Sequence, residues 1–478
     1  MHSGGALLVR VTDRAPEREP NRLLAQVMAE AGVSNKGLAA RVRELARRDG
    51  HQISSDHVSV RRWLDGRVPR GRTPEYIARA LSIKIGRRVT PADLGFSDVY
   101  DDGISLTHSG TCYPDACGDA INLLIELAAM DSNDHHAILE LQPYPDATPQ
   151  VITSYLFGQP NALVAASDRD AQSPTAAAIR GTAAHLMDLD FVYGGGQVRK
   201  LLLFYFKSEV IPTVRKPAPE AVRRDLYSAA AEVAQLLGWC AYDVGRHGAA
   251  QRYFVLGLRL AREARDHMLG GRLLSNISHQ ANYLGKFGDA AQFARAAQSI
   301  TPHIPSATVS AMFFAMEARA LASIGDERGC AAALNEAEAL FARGTCEADP
   351  EWIRYFNAEE LAGETAHCFR DLGHSAHTRL FADQAMQPVN TPPRTRAFIG
   401  MVKAAGILTC GDADEAVALG LSAVDLAGPL RSQRYVRYLL DFYRALSTRS
   451  AYRSFASAFA DRVRNVYPDV KLPIGPIG

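Results

Sequence analysis

Gly245, Gly285 and Gly325 stand 40 residues apart in both intervals. Five residues after each comes a small side chain: Ala250, Ala290 and Cys330. Twelve after each comes another: Gly257, Ala297 and Ala337. A less regular copy begins at Gly373, with polar Thr378 at the first of these sites, and a better one at Gly411, with Ala416 and Ala423. Small residues at such spacings let two antiparallel helices approach closely, with the glycine at the turn between them. One hairpin cannot bury its apolar face alone, so a repeated hairpin must stack on its neighbours. From Thr175 onward the chain is alanine-rich and helical in pattern, and strand signals are scarce. The class expected is therefore all-α, with a stack of repeats favoured over a plain helical bundle.

The unit has the logic of a tetratricopeptide (TPR) hairpin, but its period is about 40 residues rather than 34, so the helices are longer or the connections looser. Such hairpins stack into a right-handed superhelix with a concave face, and that face is a binding surface in general. The first helices of the hairpins place Trp239, Tyr242, Asn276, His279, Asn282 and Tyr283 where they could line it. Asn276, His279 and Tyr283 share one helical face. Packing between repeats is the other role open to these six. The organisation expected is a disordered tail over 1–20, a small domain over 21–97, a connector of low regularity over 98–174, TPR-like repeats over 175–430, and capping helices with a tail over 431–478.

The formal charge of +1 hides a division. Residues 1–96 carry +8, and the remainder carries −7. A basic head on an acidic body points to a polyanion as the partner of the head. Within the head the signals are helical. Leu23, Leu24, Val27, Met28 and Ala31 fall on one face and Gly32 ends the run; Ser34 caps a second helix through Arg48. A third helix begins near Ser54-Ser55-Asp56 and ends at Leu64-Asp65-Gly66; Thr73-Pro74-Glu75 opens a fourth. Lys36 to Gly66 has the grammar of a helix-turn-helix, whose second helix, here VSVRRWLDG, enters the major groove. The insertion ELARRDGHQISS makes the connection longer than the usual short turn. Arg61, Arg62, Arg67, Arg70 and Arg72 follow within twelve residues, and arginine pairs bidentately with guanine edges and with phosphates. Ser59 and Arg62 are the foremost base-reading candidates, with His57 and Arg61 next; Lys36, Arg67, Arg70 and Arg72 are assigned to phosphates. Val58, Val60, Trp63 and Leu64 are expected to seat the helix on the core.

With LAARVRELARRDG and VSVRRWLDGRVPR, the head resembles the lambda-repressor-like (XRE) DNA-binding domains of actinobacterial regulators. The stretches LLGWCAYDVGRHGAAQRYFVLGLRLAREARD and LLSNISHQANYLGKFGDAAQFARAAQ resemble the tetratricopeptide-like half of the same regulators, and LDFVYGGGQVRK their middle region. The likeness spans roughly 21–97 and 175–435. It implies a cytoplasmic transcription regulator, often of development or secondary metabolism and often a repressor. The function expected is a homodimer on double-stranded DNA, with a peptide or small-molecule effector in the concave face. The rival is a TPR interaction scaffold with only non-specific DNA binding.

Other chemistry finds little support. No apolar run reaches 18 residues, and the start lacks a signal-peptide core, so no membrane association is expected. Cys112 and Cys117 with His108, the group His367, Cys368, His374 and His377, and the group Asp131, Asp134, His135 and His136 lack convincing metal spacing. Gly194-Gly195-Gly196 lacks the Lys-Ser/Thr of a P-loop and reads as a turn before a helix. No nucleophile motif is present, so no catalysis and no cofactor are expected. Leu201 to Phe206 is apolar nearly all round and is expected to be a buried helix, with a dimer interface as the second reading.

Overall fold

The structure is a computed structural model that describes residues 20–48, 53–67, 69, 73–87, 89, 91–96, 113–132, 138–139, 141–143, 147–158, 173–428 and 430–472. Among the described residues it is all-α, with no strand. Two compact units divide the chain, Met1–Ile104 and Ser105–Gly478.

The first unit holds α1 (Arg22–Glu30), α2 (Asn35–Arg48), α3 (His57–Leu64), α4 (Thr73–Ile85) and a 3₁₀ turn at Ala92–Leu94. Asn21 caps α1 by accepting from the Leu24 amide at 2.9 Å, and its own amide donates to the Leu94 carbonyl at 2.8 Å. That one side chain ties the start of the domain to its end. Leu24, Leu38, Val42, Val60, Trp63, Ile77, Leu81 and Phe96 are buried in one core. Arg87 holds Glu30 through two hydrogen bonds, at 2.9 and 2.6 Å.

The second unit opens with α5 (Cys117–Ser132) and α6 (Thr148–Phe157). The connector that the sequence pattern left irregular thus contains a helix whose Val151 and Tyr155 are buried. The helix is short and its apolar period is brief, so it carries little signal alone. The body supplies the cover. Next come α7 (Pro174–Tyr193) and α8 (Gly195–Tyr205), the latter continuing through a π-helical turn, Phe206–Val210, and a last turn, Ile211–Val214.

Six helical hairpins follow: α9 (Glu220–Asp243) with α10 (His247–Ala264), α11 (His267–Tyr283) with α12 (Phe287–Gln298), α13 (Ala307–Ile324) with α14 (Glu327–Phe341), α15 (Ala358–Asp371) with α16 (Ser375–Ala385), α17 (Pro393–Thr409) with α18 (Ala413–Ala427), and α19 (Gln433–Ser447) with α20 (Arg453–Val466). Gly245, Gly285, Gly325, Gly373 and Gly411 all have φ between 78° and 94°, at the turns of the first five. In four of them the glycine N–H donates to the carbonyl three residues back, and the next N–H donates to the carbonyl five before it. Left-handed φ is what a residue with no Cβ adopts at a helix end, so the spaced glycines fix where each hairpin turns. The small residues do the rest. Ala250, Ala290, Cys330, Thr378 and Ala416 are all buried between the paired helices, as are Ala297, Ala337 and Ala385. The fourth hairpin is out of step because residues 342–357 are inserted before it, folded around buried Trp352 and Ile353.

Each hairpin packs on the next, and the arc returns on itself: α19 packs against α9, and α17 against α7. The sixth hairpin, expected as a cap, therefore closes a ring. Among the described residues one helix, Ala307–Ile324 (α13), is long and apolar enough by composition to cross a membrane, and 72% of it is buried within the protein.

Candidate functional site

In the head, α3 is anchored on one side and free on the other. Asp56 caps it by accepting from the Ser59 amide at 2.7 Å, and the Ser59 hydroxyl donates to the same carboxylate oxygen at 2.8 Å. Arg43 of α2 donates to the Ser55 carbonyl, holding the chain just before α3. Val60 and Trp63, one turn apart, fill the core side. His57, Arg61 and Arg62 are exposed. Among the described residues no carboxylate lies within ion-pair distance of either arginine. Val58 departs from expectation: it is 40% exposed, one turn before Arg62, and lies off the core face. The sequence shows a β-branched apolar residue there, and only the phase set by Val60 and Trp63 reveals that it points outward. Ser59 is half-buried and its hydroxyl proton is committed to the cap, so it serves α3 itself first. Lys36 and Arg67 are exposed. Arg70 and Arg72 lie outside the described residues.

Residues 24–97 match a family model described as the SP15 N-terminal domain. No curated protein matches the chain. The head described above is thus similar to an SP15 N-terminal domain over nearly its whole length, and the match stops where the first unit's last described residues end.

The second candidate lies inside the ring of the body. A cavity with about 140 Å³ open to the centres of water molecules is lined by α7 and by the first helix of every hairpin. Of the six residues assigned to the concave face, Trp239, Asn276 and His279 line it. His279 also lines a neighbouring cavity of about 720 Å³, together with Asn282 and Tyr283. Tyr242 lies behind the wall, fully buried, with its hydroxyl 3.0 Å from His279 Nδ1. Burial, with the charges of Arg319 and Arg434 nearby, pulls the His279 imidazole well below its usual range and holds it neutral.

Four arginines in this wall escaped the sequence reading: Arg272, Arg319, Arg394 and Arg434, all buried. The available signal was a charge inside an apolar first helix, such as Arg319 between Ala318 and Ala320. A charge removed from water costs several kcal/mol unless paired. Arg434 is fully engaged: its Nε donates to Asp243 at 3.0 Å, and its guanidinium lies over Trp239, Tyr242 and Phe398 at 4.7, 5.0 and 5.2 Å. Arg394 shares the same Asp243 oxygen at 2.9 Å, and Ser432 donates to it at 2.8 Å. Burial pushes the Asp243 carboxyl up, but the two guanidinium groups and Ser432 outweigh it and hold it below the usual carboxylate range. Arg319 pairs with Glu364. Burial lifts Asp190 to about 6 and Glu360 to about 8, the latter with help from Glu364.

The remaining candidates that lie among the described residues have protein partners or neighbours. Gly195 donates its amide to Asp243 Oδ2 at 3.1 Å, so the start of α8 already holds a carboxylate. Asp131 is buried and takes Arg199 and Arg246, each at 2.6 Å. His367 lines the cavity, His374 meets Glu327 at 3.1 Å, and His377 stacks on Phe369 at 4.7 Å. Cys117 is buried in α5, while His108, Cys112, Asp134, His135 and His136 lie outside the described residues. Leu202, Leu203 and Phe206 are buried as expected, but Leu201 and Phe204 are 59% and 74% exposed.

Proposed function

We propose that this chain is a sequence-specific DNA-binding transcription regulator, a helix-turn-helix head joined to a TPR-like body, acting by occupancy of its site as a homodimeric repressor. The observation that carries the reading is α3, held in the core by Val60 and Trp63 while Val58, Arg61 and Arg62 stand exposed on its outer side. Arginine pairs with guanine O6 and N7, and an apolar side chain contacts the thymine methyl. Arg62 and Val58, with Arg61 and His57, are the base-reading set; Lys36, Arg67, Arg70 and Arg72 serve phosphates. One head offers a small interface, so two heads on half-sites roughly 34–36 Å apart supply specificity. Exposed Leu201 and Phe204 on α8 favour the dimer.

The body senses. An effector in the ring cavity shifts DNA occupancy only through differential affinity for two shapes of the body. The head's net basic charge also suits the rival, a scaffold that holds DNA without sequence preference. Salt titration separates the two. The regulator retains a preferred sequence as salt rises, whereas the scaffold's affinity falls uniformly on all sequences.

A further inference from the structure

We propose that the ring cavity binds a small planar carboxylic acid, an aromatic ring bearing one carboxylate, with Arg272 and Ser275 of α11 receiving the anion and Trp239 and Phe398 flanking the ring. This deepens the effector reading above and rests on it.

Arg272 is the decisive residue. It is 6% exposed, and among the described residues no carboxylate lies within ion-pair distance of it. Its one hydrogen bond goes to the Met187 sulfur at 3.5 Å, and its guanidinium stacks on Trp352 at 4.7 Å. Stacking fixes the plane of the fork; Glu232 acts on its charge only from beyond ion-pair distance and is itself held by Arg180 at 3.1 Å, so no carboxylate sits on the fork. Ser275 stands one helical turn on, and its buried hydroxyl has no partner. Arg319 Nε, Arg394 Nε and His367 Nδ1, all buried in the same wall, have none either. The cavity's unsatisfied groups are thus mainly donors, which is what an oxyanion requires.

The charge balance agrees. Arg394 and Arg434 share one carboxylate, Arg319 has Glu364, and among the described residues Arg272 has none within ion-pair distance. Of the other acids at the wall, Glu359 accepts from Asn390 at 2.6 Å and Asp190 from the Cys240 thiol at 3.7 Å. Burial drives Glu360 toward its neutral form, with help from Glu364, and draws the Arg272 guanidinium downward, both marks of a poorly hydrated interior.

Shape sets the rest. The cavity volume of about 140 Å³ is near the 150 Å³ or so that admits a single benzene ring. Trp239, Phe191, Phe356 and Phe398 give that ring flat partners. His279, Arg319 and Tyr438 are common to this cavity and the larger one, so a tail on the ring has a direction in which to extend. The small volume of this cavity disfavours an extended peptide.

The test uses the full-length chain and matched probes: benzoate and 2-naphthoate against benzamide and 2-naphthamide, by calorimetry. The acids are expected to bind at least tenfold more tightly than their amides. Arg272→Met, which keeps the length and removes the charge, is expected to abolish that preference while leaving the ligand-free protein as stable as before or more so. Equal binding of acid and amide, or a preference that survives Arg272→Met, would overturn the proposal. Adding 2-naphthoate to the protein on DNA separates the two claims. Tight, Arg272-dependent binding with unchanged DNA affinity upholds the ligand class and sinks the effector reading. Capture of a short peptide by the ring with altered DNA affinity, and no binding of either acid, does the reverse.

Discussion

Asp243 accepts a hydrogen bond from Arg434 at 3.0 Å across 191 residues of chain. The contact joins the end of α9, in the first hairpin, to the start of α19, in the last. Arg394 of α17 meets the same oxygen, so one carboxylate holds three elements of the ring. A stack of hairpins is otherwise held only by neighbour against neighbour. Here the ends are also tied, and the cavity wall is made from the tie.

Asp243→Asn should therefore loosen the whole body. It strands two buried guanidinium groups, and breaking a buried pair costs about 3–5 kcal/mol. Urea denaturation followed by helical circular dichroism should show a clearly lower midpoint. The double change Arg394→Met and Arg434→Met on the Asp243→Asn background should recover part of that loss. An unchanged midpoint for Asp243→Asn would contradict the ring closure.

Two glycines separate turn strain from close approach. A Cβ on Gly285 meets nothing, but its φ is 78°, so Gly285→Ala should cost about 1–2 kcal/mol of backbone strain. A Cβ on Gly248 would collide with the Leu141 carbonyl, which cannot move without disturbing the segment packed over α10. Gly248→Ala should lower the melting temperature more than Gly285→Ala does. The reverse order would mean that the Leu141 segment does not lie against α10.

How much of this was legible in sequence depends on the range of the interaction. The hairpin turns were, because a glycine at positive φ and small residues at fixed offsets are local requirements. The helices of the head were, because Asn21, Ser34 and Asp56 announce helix starts. Ring closure was not: nothing within a window around Asp243 says that residue 434 will meet it. Nor were the four cavity arginines, since a charge in an apolar helix carries no sign of which neighbour will bury it. Val58 was misplaced because a valine beside a core valine suits either face until the helix phase is set by Trp63.

Stability should depend on pH through Glu360. Its folded carboxyl sits at about 8 against an ordinary value of 4.5, so the folded state binds the extra proton between those limits. The stabilisation is full below 4.5 and is lost as pH rises through 8. Glu360→Gln, which cannot ionise, should flatten the melting temperature over that window and exceed wild type at its alkaline end. Parallel wild-type and variant curves would show that Glu360 ionises freely in the folded protein.

On DNA, two substitutions should behave differently. Arg62→Ala is expected to cost about 1–3 kcal/mol and to relax preference at one base position. Arg67→Ala should weaken binding to all sequences alike and reduce the slope of affinity against salt. If Arg62→Ala bound every sequence as wild type does, the orientation of α3 on DNA would be wrong.

The most direct test is selection of genomic fragments by the purified full-length chain at near-physiological salt, followed by footprinting of whatever is enriched. The account predicts protection of a two-fold-related site with half-sites about one helical turn apart, lost on Arg62→Ala. Binding that falls evenly on all fragments and vanishes as salt rises would contradict it and leave the scaffold as the better description.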